Sequence, residues 1–182
     1  AGRSEDTEVS HSTINFGDTA YIKVGHNTAG SKARAAGETF GVVARNNSEV
    51  DFAGDTVIDT SGTAAGSNTI GAYAHAGGSI EFAKGLVLDN KGREYITAIN
   101  EGTLELDLST DKSYYEGAAT TANDGKLHMK LRQGSLWNVT ADSDLTSLEF
   151  GDGARIDMAQ QADYQKLQVA GFTGSGGTFV LG

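Results

Sequence analysis

An internal repeat constrains the fold of this chain more than any other feature of its sequence. The triplet Val50-Asp51-Phe52 reappears thirty residues later as Ile80-Glu81-Phe82, and residues 40–44 reappear as residues 70–74 at the same offset. Related triplets lie thirty-six residues before position 50 and then at steps of twenty-four and twenty-three after position 80. A repeat that keeps its triplet while its length falls indicates a conserved structural unit with connections of variable length. These further triplets are Ile14-Asn15-Phe16, Leu104-Glu105-Leu106 and Leu127-His128-Met129.

Each repeat contains about three short stretches in which apolar residues alternate with polar ones. This period of two is typical of β-strands. Three short strands per repeat, kept in register, predict an all-β protein: a single-stack right-handed parallel β-helix (β-solenoid) with coils about 4.8 Å apart. Stacking predicts two inward columns of core side chains. The first column is Ile14, Val50, Ile80, Leu104 and Leu127, and the second is Phe16, Phe52, Phe82, Leu106 and Met129.

Two other β architectures were weighed against this one. A sandwich or barrel also has many short strands, but it does not place matching residues at whole-repeat offsets. A left-handed helix of hexapeptides requires a six-residue period, which the sequence lacks. Residues 159–162 are the best helical candidate and are too few to form a stable helix. Thr60 is expected to be exposed.

The composition narrows the classes of function. The chain has 24 Asp and Glu against 14 Lys and Arg, a net charge of −10, so we expect no nucleic-acid partner. Apolar runs stay well short of the ~18 residues that span a bilayer. The lack of cysteine is open to two interpretations, chance or export through a narrow pore. Without an initiator Met or a signal peptide, the chain is expected to be a fragment of a longer protein.

The last third of the chain carries a series of motifs in a fixed order. Gly134-Ser135-Leu136-Trp137 is followed by a Ser-x-Leu-x-x-Leu segment at 143–148, an aromatic-x-x-Leu-x-Val segment at 164–169 and a Gly-x-Gly-Gly-x-Phe-x-Leu segment at 174–181. This order, over about residues 125–181, resembles the pertactin-like C-terminal passenger region of classical bacterial autotransporters (type V secretion). One departure is Gln165, where that family often has an acidic residue. The family's linker helix and membrane barrel do not follow within these residues, so we expect that the chain alone cannot direct secretion.

The resemblance implies both a role and a location. In that family this region is the autochaperone, which folds first outside the cell and templates the upstream coils. The implied partners are the upstream passenger coils and a downstream outer-membrane β-barrel, with a host-surface or self-association partner as a further possibility. The implied location is the bacterial cell surface, after export through the periplasm, with or without release. The residues that would build the autochaperone-like core are Trp137, Leu145, Leu148, Phe150, Ile156, Tyr164, Leu167, Val169 and Phe179.

Three segments are predicted on this basis. Residues 1–12 are expected to be a disordered or tag-like N-terminal segment. Residues 13–124 would form the coils of the passenger stalk. Residues 125–182 would form the C-terminal cap with the autochaperone-like region.

The strongest candidate for a catalytic or ligand-binding site is a column of outward-facing polar residues. Asp51, Glu81 and Glu105 occupy the centre of successive triplets, with Asn15 before them and His128 after. Carbohydrate-cleaving β-helices such as pectate lyases mount carboxylates on adjacent coils, but they combine them with basic residues, which no matching offset supplies here. The column is interpreted first as a solvated strand face. A weak cation or ligand site and an active site remain the alternatives.

Other motifs give weaker signals. The Asp142-x-Asp144-x-Thr146 run fails the calcium-loop pattern at Ser147 and Gly153. The histidines at 11, 26, 75 and 128 occupy unrelated repeat positions, and neither a Gly-x-Ser-x-Gly nor a Gly-Asp-Ser-Gly motif is present. We therefore predict no catalytic residues, no metal and no cofactor. The expected function is that of a non-catalytic autotransporter stalk, from an adhesin or other virulence factor; the alternative is a polysaccharide-active β-helix lyase or hydrolase.

Overall fold

The computed structural model describes residues 12–24, 39–62, 69–89, 94–159 and 165–181, and in this part of the chain every regular element is a β-strand. The prediction of an all-β protein is confirmed. Of the predicted N-terminal segment 1–12, Ser12 is described, and residues 1–11 lie outside these ranges. In chain order the strands are β1 Thr13–Phe16, β2 Ala20–Lys23, β3 Thr39–Arg45, β4 Glu49–Phe52, β5 Thr56–Asp59, β6 Thr69–His75, β7 Ser79–Phe82, β8 Leu86–Asp89, β9 Glu94–Ile99, β10 Thr103–Leu108, β11 Tyr114–Ala122, β12 Lys126–Leu131, β13 Leu136–Val139, β14 Ser143–Phe150, β15 Arg155–Asp157, β16 Leu167–Gly174 and β17 Thr178–Val180.

These strands form two parallel sheets that the chain visits in turn. The seven-stranded sheet has the order β1-β4-β7-β10-β12-β14-β16. The ten-stranded sheet has a main path, β17-β15-β13-β11-β8-β5-β2, and a branch, β3-β6-β9, which joins it at β11. In the first three repeats the chain passes from the seven-stranded sheet to the main path, then to the branch, and back. Each strand therefore pairs in parallel with its counterpart one repeat later.

The predicted register is confirmed at every triplet. Val50 pairs with Ile14 on one side and with Ile80 on the other, and the pairing continues through Leu104 to Leu127. The second column follows the same pairings from Phe16 to Met129. The apolar side chains of the middle repeats are fully buried, because a strand above and a strand below cover each of them.

The shrinking repeat is accommodated at one corner. The connections from branch to seven-stranded sheet, at 46–48, 76–78, 100–102 and 123–125, have equal lengths. Those to the main path are equal at 17–19, 53–55 and 83–85 and are longer in the later repeats, at 109–113 and 132–135. The connections from main path to branch shorten from residues 24–38 to 60–68 and then 90–93. In the fourth repeat β11 continues from main path to branch without a break. Length therefore varies where it disturbs no strand pairing.

Asparagine shapes the corners that lead back to the seven-stranded sheet. Asn46, Asn100 and Asn123 have φ angles of 54°, 49° and 50°, a left-handed conformation that asparagine tolerates better than most residues. The side chain of Asn123 donates a hydrogen bond to Oδ1 of Asn100 at 3.0 Å, so equivalent corners are bonded to each other along the stack. Asn100 and Asn123 each begin an Asn-x-Gly segment, at 100–102 and 123–125, so these two corners are also alike in sequence.

Three expectations about exposure differ from the structure. Thr60, expected to be exposed, is completely buried, because it directly follows β5 and continues the inward alternation of Thr56 and Ile58. Ile14 and Phe16, expected in the core columns, are 53% and 39% exposed. Both lie on β1, the edge strand of the seven-stranded sheet, which has a described partner, β4, on one side only. They hold their predicted register without being covered.

Candidate functional site

The outward face of the seven-stranded sheet carries the predicted polar column. The backbone of Glu81 pairs with those of Asp51 and Glu105, and Glu105 pairs in turn with His128. The structure therefore brings together the three carboxylate residues of the candidate site, one per strand, at the β-sheet spacing of about 4.8 Å. Glu81 and Glu105 are exposed and Asp51 is half-buried.

The charges of this column act on one another. Partial burial is the largest cause that raises the pKa of Glu81 above its usual value, and the carboxylates of Glu105 and Asp51 add to it. Lys130 opposes the increase. The pKa of Asp51 is also raised, by burial first and by Glu49 second. The carboxylates of adjacent strands therefore repel each other, as the sequence suggested, but desolvation contributes more.

A lysine that was not predicted from the sequence, Lys130, lies beside this column, close to the predicted His128. Lys130 pairs with Asp107 on one neighbouring strand and with Glu149 on the other. Nδ1 of His128 lies 2.7 Å from Oγ of Ser147. The offset from Lys130 back through the repeat leads to Asp107 and then to Ala83, so no recurring basic position marked it. A shallow groove in this face is lined by Glu81, Ala83, Glu105, Asp107, His128 and Lys130.

The groove has mixed charge and one unsatisfied acceptor. Oδ1 of Asp107 is buried and has no hydrogen-bond partner among the described residues. Close by, an Nη2–Oε1 contact of 2.5 Å joins Arg132 to Glu149. Within the described ranges, no group of three or more His, Asp or Glu side chains is arranged to hold a metal ion. The arrangement can offer hydrogen bonds and charge to a polar ligand, but it lacks the ligand set of a cation site.

The residues assigned to the autochaperone-like core fall into two groups. The first group is fully buried, and Trp137 is its largest member; its indole Nε1 donates a hydrogen bond to the carbonyl oxygen of Gly117 at 3.0 Å. Leu167 and Val169 are half-buried, and Phe179 is 43% exposed while its ring packs 4.7 Å from that of Phe150. Tyr164 lies outside the described residues. The fully buried group comprises Trp137, Leu145, Leu148, Phe150 and Ile156.

One large core residue of this region was not identified from the sequence. Tyr115 is completely buried, and its ring stacks on that of Trp137 with centroids 6.0 Å apart and planes 15° from parallel. Its hydroxyl donates a hydrogen bond to the carbonyl oxygen of Ala118. Tyr115 follows Tyr114 in a strand without a clear alternation, so only its pairing with Trp137, seen in the structure, identifies it as core.

The two histidines among the described residues, His75 and His128, are not brought together. His11 and His26 lie outside the described residues. Nε2 of His75 lies 2.8 Å from Nδ2 of Asn100, on a corner of the branch, and His128 lies on the seven-stranded sheet.

Comparison of this chain with protein-family models, curated proteins and solved structures finds no match. Among the described residues there is also no helix long and apolar enough to cross a membrane.

Proposed function

We propose that the two sheets are the faces of a right-handed parallel β-helix, and that the chain is a non-catalytic segment of a bacterial autotransporter passenger. The observation that carries the architecture is the three-strand circuit, in which each strand pairs in parallel with its counterpart one repeat later. Parallel crossover connections are right-handed in about 98% of cases, which supports the handedness. The motif order of residues 125–181 supports the passenger assignment.

The proposed role is a rigid surface stalk whose C-terminal region nucleates folding. Tyr115 and Trp137, the bulkiest fully buried pair, lie where coils of the stalk meet the C-terminal region. The stability of such a stack is approximately a sum of contributions from neighbouring coils. Once a well-packed unit has formed, the unfavourable nucleation step is complete, and each further coil adds stabilising contacts. Folding of this unit outside the outer membrane would bias transport outward. Its partners would be the upstream coils and the downstream β-barrel, and the display would serve an adhesin or other virulence factor.

Surface display tests this proposal. The chain would be fused in front of an autotransporter barrel and expressed in a Gram-negative bacterium, and its accessibility to external protease would be measured. Trp137→Ala should strongly reduce the displayed fraction, whereas Asn138→Ala, next to it on the outward side of β13, should not. Equal display by both variants, or no display of the unchanged chain, would contradict the proposal.

A polysaccharide-active β-helix is the second candidate, and the groove favours it. Lys130 and His128 stand beside Glu81 and Glu105, so the basic partners expected of such a site are present. Release of reducing or unsaturated ends from a panel of acidic and neutral polysaccharides would support this candidate if Glu105→Gln abolished it. Without such activity, a non-catalytic stalk is the better interpretation of the outward face of the seven-stranded sheet.

A further inference from the structure

The two ends of the stack are open edges that expose core side chains. At the first end, Ile14 and Phe16 on β1 are 53% and 39% exposed. At the last end, Phe172 on β16 and Phe179 on β17 are 53% and 43% exposed. Exposed apolar side chains on unpaired strand edges are sites where another strand can add.

Phe16 and Phe172, at the two ends of the seven-stranded sheet, belong to the same column of side chains. Phe16 begins this column, and its ring stacks on that of Phe52 with centroids 4.7 Å apart and planes 3° from parallel. The pairing then runs strand by strand to Leu148 and finally to Phe172. Since all strands are parallel, β1 of a second copy would meet β16 in the direction that the sheet already uses, with Phe16 above Phe172.

The ten-stranded sheet repeats this match. Ile22 on β2 pairs with Ile58, at the start of a column that ends where Ile156 pairs with Phe179. The seven-stranded sheet and the main path of the ten-stranded sheet therefore end at each side on strands whose apolar columns continue one another, whereas the branch has an end strand, β3, at the first end only. The intermediate members of this second column are Leu88, Tyr115 and Trp137.

The edge strands also lack the usual protection against pairing. Proteins commonly place charged residues, especially lysine, or proline on exposed edges to prevent association. The strands β1, β16 and β17 read TINF, LQVAGFTG and TFV, without a single charged residue. Interior strands of the same sheet do carry charges, as EVDF in β4 and KLHMKL in β12 show. The fourth strand of the proposed contact, β2, reads AYIK and carries one charged residue, Lys23, at its end. Charge is thus absent from β1, β16 and β17, and Lys23 is the single charge on the four edge strands that would meet.

We propose that these ends bind each other head to tail, so that a second copy of this chain adds β1 to β16 and β2 to β17. The inference rests on the stacked architecture proposed above, but not on the secretory role. The contact joins two different surfaces and does not close, so it generates linear chains of copies rather than a fixed dimer. In a longer protein, neighbouring coils of the same polypeptide would compete for these edges.

Sedimentation velocity of the 182-residue chain over a concentration series tests this inference. We expect the weight-average mass to rise continuously with concentration, and more steeply with added salt, because the net charge of −10 opposes association. Phe16→Lys and Phe172→Lys should each remain monomeric. An equimolar mixture of these two variants should form dimers and nothing larger, because each variant keeps one intact end. Thr173→Lys, an outward-facing control on β16, should assemble like the unchanged chain.

Several outcomes would overturn the proposal. The unchanged chain could stay monomeric at every concentration, or the Phe172→Lys variant could still assemble. The Thr173→Lys variant could also lose assembly to the same extent as Phe172→Lys. Dimers of Phe16→Lys alone would show contact between two identical C-terminal ends instead. Circular dichroism of each variant identifies loss of fold, and the surface-display assay reports separately on the secretory role, so the two proposals can fail independently.

Discussion

The rings of Phe52 and Phe82 lie face to face, with centroids 4.9 Å apart and planes 7° from parallel. This separation is close to the spacing of paired strands, so the side-chain stack follows from the backbone pairing of β4 with β7. Aromatic residues thirty positions apart in the sequence are thereby made nearest neighbours in the core.

Phe52→Ala should lower the free energy of unfolding by about 3–5 kcal/mol, because it opens a cavity between two covered strands. Chemical denaturation followed by circular dichroism measures this loss. Glu49→Ala, an exposed position on the same strand, is the control and should change stability by no more than about 0.5 kcal/mol. Similar losses in both variants would mean that the inward and outward faces of β4 are wrongly assigned.

Glu81→Gln should stabilise the chain at neutral pH and low salt by about 0.2–1 kcal/mol, because it removes repulsion from the carboxylates on both neighbouring strands. The raised pKa of Glu81 means that the folded state favours the protonated acid. Its contribution to stability is therefore present at acid pH and is lost as pH rises through the folded-state pKa. The gain from the substitution should grow over that range in thermal melts and shrink with added salt.

Asp111→Asn, an exposed carboxylate on a corner, serves as the control for the loss of one negative charge and should give a smaller gain. Millimolar calcium should leave the melting temperature of the unchanged chain where it is, because this face lacks a set of metal ligands among the described residues. Destabilisation by Glu81→Gln would reveal an attractive partner for this carboxylate and would strengthen the second candidate function.

Tyr21→Phe should raise the pKa of Asp59. Hydrogen bonds from Ser61 and then Tyr21 lower this pKa to about 2, with Lys23 a minor cause. The hydroxyl of Tyr21 donates to Oδ2 of Asp59 at 2.7 Å. Because the folded-state pKa is lowered, the contribution of Asp59 to stability is present above its ordinary pKa and is lost as pH falls towards 2. Carbon-detected NMR titration of the carboxyl group measures the shift.

Lys23→Met is the matched comparison for that titration, since it removes only the minor cause. Its effect on the pKa of Asp59 should be smaller than that of Tyr21→Phe. The reverse order would show that charge, rather than hydrogen bonding, controls this carboxylate.

Hydrogen exchange should be slowest in the region from β11 to β14 and fastest at the two edges. The slow region contains Tyr115 and Trp137, both completely buried, whereas β1 and β16 have strand neighbours on one side only. The exposure of β16 and β17 excludes these two strands from the slow region, although they belong to the last third of the chain. Uniform protection along the described strands would remove the physical basis for a nucleating C-terminal region.

The strand register could be predicted because the apolar triplets recur and their two outer residues face inward in every repeat. Burial could not be predicted from register alone, since it also depends on a strand being present above and below, as Phe16 shows. Thr60 was misjudged because its polar side chain was given more weight than the alternation of Thr56 and Ile58, which places it inward. Lys130 was missed because the equivalent positions one and two repeats earlier hold Asp107 and Ala83, so basic charge does not recur at repeat offsets.

In the first three repeats the variation in length is confined to the connection from main path to branch, which insulates the rest of these repeats from insertions. A residue added between β5 and β6 changes neither the corners on the other two sides nor any backbone pair. Evolution can therefore diversify this flank independently of the core, and the flank is the place to graft a foreign epitope or a purification peptide. Each of the first three repeats offers one such connection, whereas the fourth has none, because β11 runs from main path to branch without a break.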